Sequence, residues 1–440
     1  MYWYQIFQDG PEYEARRKRS TTFSPPNVTL KDVRDAVPKH LFEVSTFWGL
    51  FYVFKHLAIT YAFHLFATKI DGISQFLVGD SDDSLMRPLH SLISAFLWLT
   101  FWAWQGFAFA GIWCLGNFMP RYHQAGHDAI SSYRIVNSVV GIVLHTFVLT
   151  PYYAWRATHR SHHKGTNHMD RDETYMPPTR KDFELPDGKV AVRMDYAEVL
   201  EETPAFTLFK LFVRQFFGFQ LYLLHNRKGN AKYPAWTSHY KPSSLLFKPE
   251  ERRSIIVSNI AIGTMLSILT LLTYTSGWTS VAKFYFMPWL FQHNWYVITE
   301  IRLFGFLINR LTRMVMFTYL QHSDPTIPYY RGDQWTFARG ALATVDRPLF
   351  GWVGRVLLHN ISTDHLAHHF FVTVPFYNLP EVTEAIKPVL GEYYNYDSTG
   401  VLFALWRSFT QCIFVEDEGD ILFFKNQYGE AVSEPVVEFS

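Results

Sequence analysis

The sequence predicts an all-α integral membrane protein: four transmembrane helices, joined to polar segments that lie outside the bilayer. Three observations lead there. Aromatic residues make up 18% of the 440-residue chain, with 40 Phe, 25 Tyr and 14 Trp, and charged residues only 18%. Two runs, 91–120 and 254–282, contain no Asp, Glu, Lys, Arg or His, and each exceeds the roughly 20 apolar residues that cross a bilayer core. Mean hydropathy is −0.03, so such spans must alternate with substantial polar portions.

Residues 1–43 form a polar N-terminal segment without the apolar core of a cleaved signal peptide. Its basic run Arg16-Arg17-Lys18-Arg19 reads as a solvated tail or a lipid-headgroup contact. The first span is 44–67, interrupted by Lys55 and His56, and the second is 91–118. The third, 254–275, and the fourth, 281–299, form a hairpin through Thr275-Ser276-Gly277, the fourth carrying Pro288 and His293. The span-bearing region is one domain over 44–425, and 426–440 is a C-terminal tail.

Lys and Arg in short flanks set orientation. Residues 1–43 hold seven, whereas 69–90 hold two beside four aspartates, so the N-terminus is expected in the cytosol and 69–90 in the lumen. Residues 135–155 are also uncharged and long enough to cross. Asn137, Gly141, His145 and Pro151 instead predict a buried or re-entrant segment, which keeps the histidines on its two sides on one face of the membrane. Residues 170–205 and 225–253 read as cytosolic excursions. The formal charge of +1 and the lack of a basic domain exclude a nucleic-acid partner. Two cysteines cannot supply a disulfide framework or a four-thiolate cluster, and Cys114 is read as packing.

Three histidine clusters punctuate this plan: HQAGH with His123 and His127, HRSHH with His159, His162 and His163, and HLAHH with His365, His368 and His369. At about 100° per residue, each spacing puts its rings on one face of a helical turn. With 19 histidines in the chain, HxxxH arises about once by chance, but HxxHH only about 0.03 times. Two copies of HxxHH are therefore a signal. Eight imidazoles exceed the needs of one tetrahedral zinc. They suit iron, copper or zinc, and the number fits two octahedral-like ions with positions left for oxygen. No HExxH motif of a zinc protease occurs. Asp128, Asp170, Asp172, Glu173 and Asp364 are read as acids that orient ring N–H groups. His168 would point about 140° away from His163 and follows Gly165, so it is left out of the metal set.

The segments TPYYAWRATHRSHHKGT, RDETYMPP, FTYLQH, RGALATVDRP, HNISTDHLAHHFF and PFYNLPEVTEAIKPVLG resemble those of membrane-bound fatty acid desaturases, above all the fungal oleate delta-12 group, over about 24–425. The resemblance implies a cytosolic helical cap that holds a histidine-rich di-iron site on four spans, in the endoplasmic reticulum membrane. It implies an oxidoreductase that uses O2 and two electrons to insert a double bond, delta-12 for an oleoyl-to-linoleoyl conversion, into an acyl-lipid or acyl-CoA chain. Cytochrome b5 and its NADH-dependent reductase would supply the electrons. The implied iron ligands are His123, His127, His159, His162, His163, His365, His368 and His369. His322 in TYLQH is the choice for a ninth, with His359 its rival. His145 and His293, inside apolar segments, are read as structural. No GxG or His-Pro sequence occurs, so no dinucleotide fingerprint or fused cytochrome b5 domain is recognised. Arg227, Lys228 and Lys232 are candidates for docking the donor.

Two positions depart from the delta-12 pattern: Gln124-Ala125 stand where Glu-Cys is usual, and Val372 where Ser is usual. They leave open a divergent product, from a fatty acid acetylenase, conjugase, epoxygenase or hydroxylase. An alternative of another class is a non-catalytic membrane metal-binding protein. A transporter would place its ionisable ligands within the spans, whereas these clusters lie outside the uncharged runs.

Overall fold

The computed structural model describes residues 7–19, 22–79, 86–117, 130–174, 176–201, 203–227, 229–294 and 314–436. Helices dominate, and sheet among the described residues is confined to two short ladders. Thr22–Phe23 pairs in parallel with Glu434–Pro435, and Tyr329–Tyr330 antiparallel with Ile421–Leu422.

Helix α1 (Pro11–Arg19) carries acids in its first turn and bases in its last, as the helix dipole favours. Helix α2 (Leu30–Asp35) starts in a capping box between Thr29 and Asp32. Helix α3 (Thr46–Ala67) starts where the Ser45 hydroxyl accepts from the Trp48 N–H. Its outer surface is apolar, with Phe47, Trp48, Phe51, Phe54, Tyr61 and Leu65 exposed. Its buried face carries small or polar residues: Gly49, Val53, His56, Thr60 and Ala67. That reversal of the soluble pattern is the signature of a helix in lipid, where close backbone approach, not burial from water, drives packing.

Helix α4 (Ile70–Val78) lies in the expected luminal loop and ends at Gly79. Helix α5 (Met86–Asn117) is 32 residues long, about 48 Å at 1.5 Å per residue. Met86, Leu89, Leu92 and Phe96 are exposed, whereas 105–116 are all buried. The helix therefore begins on an outer apolar surface and ends inside protein. Gly111 and Gly116 make that possible: a Cβ would stand 2.1 Å from the Leu357 carbonyl oxygen at one and 2.1 Å from His145 Cδ2 at the other.

Helices α6 (Arg134–Phe147) and α7 (Tyr152–Gly165) meet at a bend of 106°. Pro151 offers no N–H and disfavours the α conformation before it, and Leu149 takes φ +56° at the corner. The uncharged segment 135–155 thus does not run straight. Ile135, Val139 and Val143 form an exposed stripe on α6, while Asn137, Gly141 and His145 face inward. His145 Nε2 donates to the Trp113 carbonyl at 3.1 Å, the structural role expected of it.

After α8 (Arg193–Leu200) and α9 (Pro204–His225), helix α10 (Arg252–Ser276) again shows an apolar exposed surface. Gly277, at φ +81°, turns the chain into α11 (Trp278–Val281). A π-helical turn, Ala282–Phe286, leads into α12 (Met287–Asn294), where Pro288 cannot donate the usual helical bond. This run packs along α5, with Trp102 Nε1 donating to the Lys283 carbonyl at 2.9 Å. Three helices among the described residues are long and apolar enough to cross a membrane: Thr46–Ala67, Met86–Asn117 and Pro249–Ser276; the bent pair adds a fourth if counted as one span. The expected span 281–299 is helical to Asn294, and its remainder lies outside the described residues.

The rest is a body of short helices: α13 (Met314–His322), α14 (Phe337–Leu342), α15 (Trp352–Leu357), α16 (His365–Phe370), α17 (Leu379–Leu390) and α18 (Val401–Gln411). One apolar core joins it to the spans, running from Val53 and Phe107 to Leu366, Phe370 and Ile386.

Candidate metal centre

Helix α7 presents His159, His162 and His163 over one turn, and α16 presents His365, His368 and His369. Helix α13 ends on His322. These seven residues come together. His159, His163 and His368 form one group whose ligand atoms all lie within 4.8 Å of one another; His162, His322 and His369 form a second. His365 stands beside the second group, its Nε2 3.0 Å from Nε2 of both His322 and His369.

The nitrogen spacing carries chemical meaning. Nε2 of His163 is 3.2 Å from that of His159, and Nε2 of His162 is 3.3 Å from that of His322. Two nitrogens bound to one ion at about 2.1 Å, and 90–109° apart, stand about 3.0–3.4 Å from each other. A lone pair on each Nε2 requires neutral rings. Burial, reinforced by neighbouring imidazoles, holds His322, His365 and His369 well below the usual imidazole range, and His368 down to about 3. The donor set fits two metal ions.

Two side chains fix ring tautomers in the second group. His162 Nδ1 donates to Asp172 Oδ1 at 2.7 Å, and the backbone N–H of Asn167 and Thr174 bind the same carboxylate at 2.9 and 3.0 Å. The Thr166 hydroxyl spends its proton on the His162 carbonyl at 2.9 Å. Its oxygen therefore accepts from His369 Nδ1 at 3.2 Å, which leaves His369 Nε2 as a lone pair. Thr166 was missed by sequence reasoning, because a threonine after a helix-ending glycine carries no motif. Trp155 was missed too; it stacks on His159 with centroids 5.3 Å apart.

The other acids sit differently. The Asp170 side chain is 73% exposed, with its carboxylate 3.9 Å from Nδ1 of His168. Solvation costs less there than burial. Glu173 is buried but accepts from Lys232 Nζ at 3.0 Å and Tyr233 at 2.9 Å. Asp364 accepts from Arg355 and Thr363, at 2.8 and 2.6 Å, rather than from an imidazole. Lys232 is thereby tied to Glu173, which weakens it as a docking residue.

His359 takes φ +54° and packs against His56 and Phe376, with centroids 4.8 and 5.2 Å apart. It belongs to neither imidazole group. His168 also stands apart, its Nδ1 accepting from the Asp170 N–H at 3.0 Å. His123, His127 and Asp128, with Gln124 and Ala125, lie outside the described residues, as do Lys228 and the side chain of His293. Val372 is half-buried just beyond α16.

The family model described as fatty acid desaturase matches residues 96–400. A Delta(12) fatty acid desaturase of Mortierella isabellina and another of Mortierella alpina are each 36% identical to the chain over 405 residues, 91% of both chains. An oleate hydroxylase of Claviceps purpurea is 32% identical over 435 residues, covering 92% of this chain and 82% of that one.

Proposed function

Because the chain belongs to the fatty acid desaturase family, and is an oxidoreductase of it, we propose that it inserts a delta-12 double bond into a membrane-associated oleoyl chain. The overall change is loss of two hydrogens from adjacent methylenes; these two hydrogens, O2, two electrons and two protons together give two waters. The position on the chain rests on the two Mortierella relatives, whose names give delta-12. The observation that carries the metal reading is the pair of buried imidazole groups, nitrogens converging in each.

We assign the metal as two iron ions, held by His123, His127, His159, His162, His163, His322, His365, His368 and His369. Iron bound there would supply the oxygen-derived oxidant that a C–H bond without an acidic proton demands. The protein's own work is narrower. The imidazoles stay neutral and aimed, Asp172 holds the proton on His162 Nδ1, and Thr166 holds the one on His369 Nδ1. Buried Leu366, Phe370 and Phe371 exclude water beside α16. Four spans, a cytosolic cap and N-terminus, an endoplasmic reticulum location and electrons from cytochrome b5 and its reductase complete the proposal.

A second reading shares this scaffold: hydroxylation at the same carbon, favoured by relatives named as oleate or oleoyl hydroxylases. One experiment separates them. Expression in yeast lacking polyunsaturated lipids, with mass spectrometry of total fatty acids, should show a new diunsaturated eighteen-carbon acid. A hydroxylated acid would select the second reading. Purified chain holding one zinc, and no new product on oleate feeding, would refute both.

A further inference from the structure

Helix α1 reads in sequence as a charged tail, yet it enters the protein. Tyr13 is fully buried and Arg16 is 7% exposed, whereas Arg17, Lys18 and Arg19 remain outside. Arg16 reaches Asp324 at 3.4 Å, a carboxylate with no solvent exposure that also binds Arg347 at 2.8 Å and Arg407 at 3.4 Å. Arg347 and Arg407 share Asp397, and Arg407 returns to Asp9 beside α1. Three guanidinium groups and three carboxylates thus form one buried, charge-balanced network between the N-terminal segment, α13, α18 and the strap around Asp397.

Such networks seldom add stability over an apolar packing of the same volume; their best-attested use is to fix register. What is fixed here flanks His322. Arg347 Nε donates to the Leu320 carbonyl at 3.0 Å, and Gln321 Nε2 donates to the Ile361 carbonyl at 3.0 Å. The Ser408 hydroxyl binds the Ser323 carbonyl at 2.8 Å, and Asp324 is the node of the network. Every residue from Leu320 to Asp324 other than His322 is pinned through these contacts, and Ile361 leads to His365, whose Nε2 faces that of His322. The His159, His163 and His368 group has no member on α13.

We infer that Arg16 is a positioning residue: through Asp324, the N-terminal helix sets the place of His322 and so the retention of one of the two metal ions. The inference rests on the two-metal reading and deepens it. The test uses full-length, iron-loaded protein in detergent, with metal release to a coloured ferrous chelator followed in time. Wild type should yield two equivalents per chain; fewer would refute the two-metal reading, independently of any variant. In Arg16→Gln one equivalent should leave about tenfold or more faster while the other keeps its wild-type rate. Arg16→Lys should restore slow release, and Arg17→Gln, on the exposed face, should not alter it. Should Arg16→Gln fail to accumulate, Asp9→Asn loosens the same network at its rim and should speed the same single equivalent. Unchanged release in these network variants, or both equivalents speeding together as in general unfolding, would overturn the inference.

Discussion

Asp172 and His162 are joined at 2.7 Å with both side chains buried, and the carboxylate is itself held by two backbone N–H groups. That triad fixes which nitrogen of His162 faces the second imidazole group. Asp172→Asn keeps the shape but lets the amide present N–H to the ring, favouring the wrong tautomer. Metal affinity should fall about 10- to 100-fold. Metal content after dialysis against graded chelator measures it, and wild-type retention would remove Asp172 from this role.

Thr166 does similar work for His369 with a weaker group. Thr166→Ser keeps the hydroxyl and should retain metal as wild type does. Thr166→Val leaves His369 Nδ1 without its acceptor and should lower stability by about 1–3 kcal/mol, the cost of an unsatisfied buried donor. Thermal unfolding of the metal-free protein separates the two variants.

The close approach of α5 and α6 depends on the missing side chain at Gly116. Gly116→Ala would press a methyl into the His145 ring and should cost about 1–3 kcal/mol by overpacking. Gly263→Ala on α10, where nothing lies within 4 Å of the new methyl, should be tolerated. Unfolding midpoints in one detergent provide the comparison.

Away from the centre, Glu416 accepts from Arg180 at 2.6 and 2.8 Å and from Lys425 at 2.7 Å. The Arg180 bonds pull its carboxyl down to about 2 from an ordinary 4.5. A carboxylate whose folded pKa is depressed stabilises fully above the unfolded value and loses that contribution as pH falls through the folded one. Glu416→Gln should therefore cost about 1 kcal/mol at pH 7, a figure reduced for the pair's partial solvent exposure. The gap from wild type should narrow between pH 4.5 and 2, which denaturation at pH 7, 4 and 3 would follow.

Three long apolar helices and the two HxxHH clusters were legible because each is a local pattern: an apolar run, or rings repeating on one helical face. His322 was legible through the resemblance of TYLQH and not through spacing, since a lone histidine after an apolar run has no partner in sequence. Asp170 and Asp172 looked equivalent on paper. Which of them meets a ring depends on the chain's turn after Gly165, where Asn167 takes φ +54°, and no periodicity reports that. The burial of Arg16 was hidden for a related reason. PEYEARRKR offers one aromatic side chain, Tyr13, among charges, and it is the distant partners Asp324 and Asn395 that receive Arg16 inside.

Helix α5 has mechanical consequences. Its first turns carry the apolar surface that meets lipid, and its last residue, Asn117, accepts from Trp155, the ring stacked on His159. A rod of this length cannot shorten. A thinner bilayer must tilt it or load its anchors, and its far end lies against the ring that stacks on His159. Membrane thickness thus bears on the tilt of a helix whose far end touches the Trp155 ring.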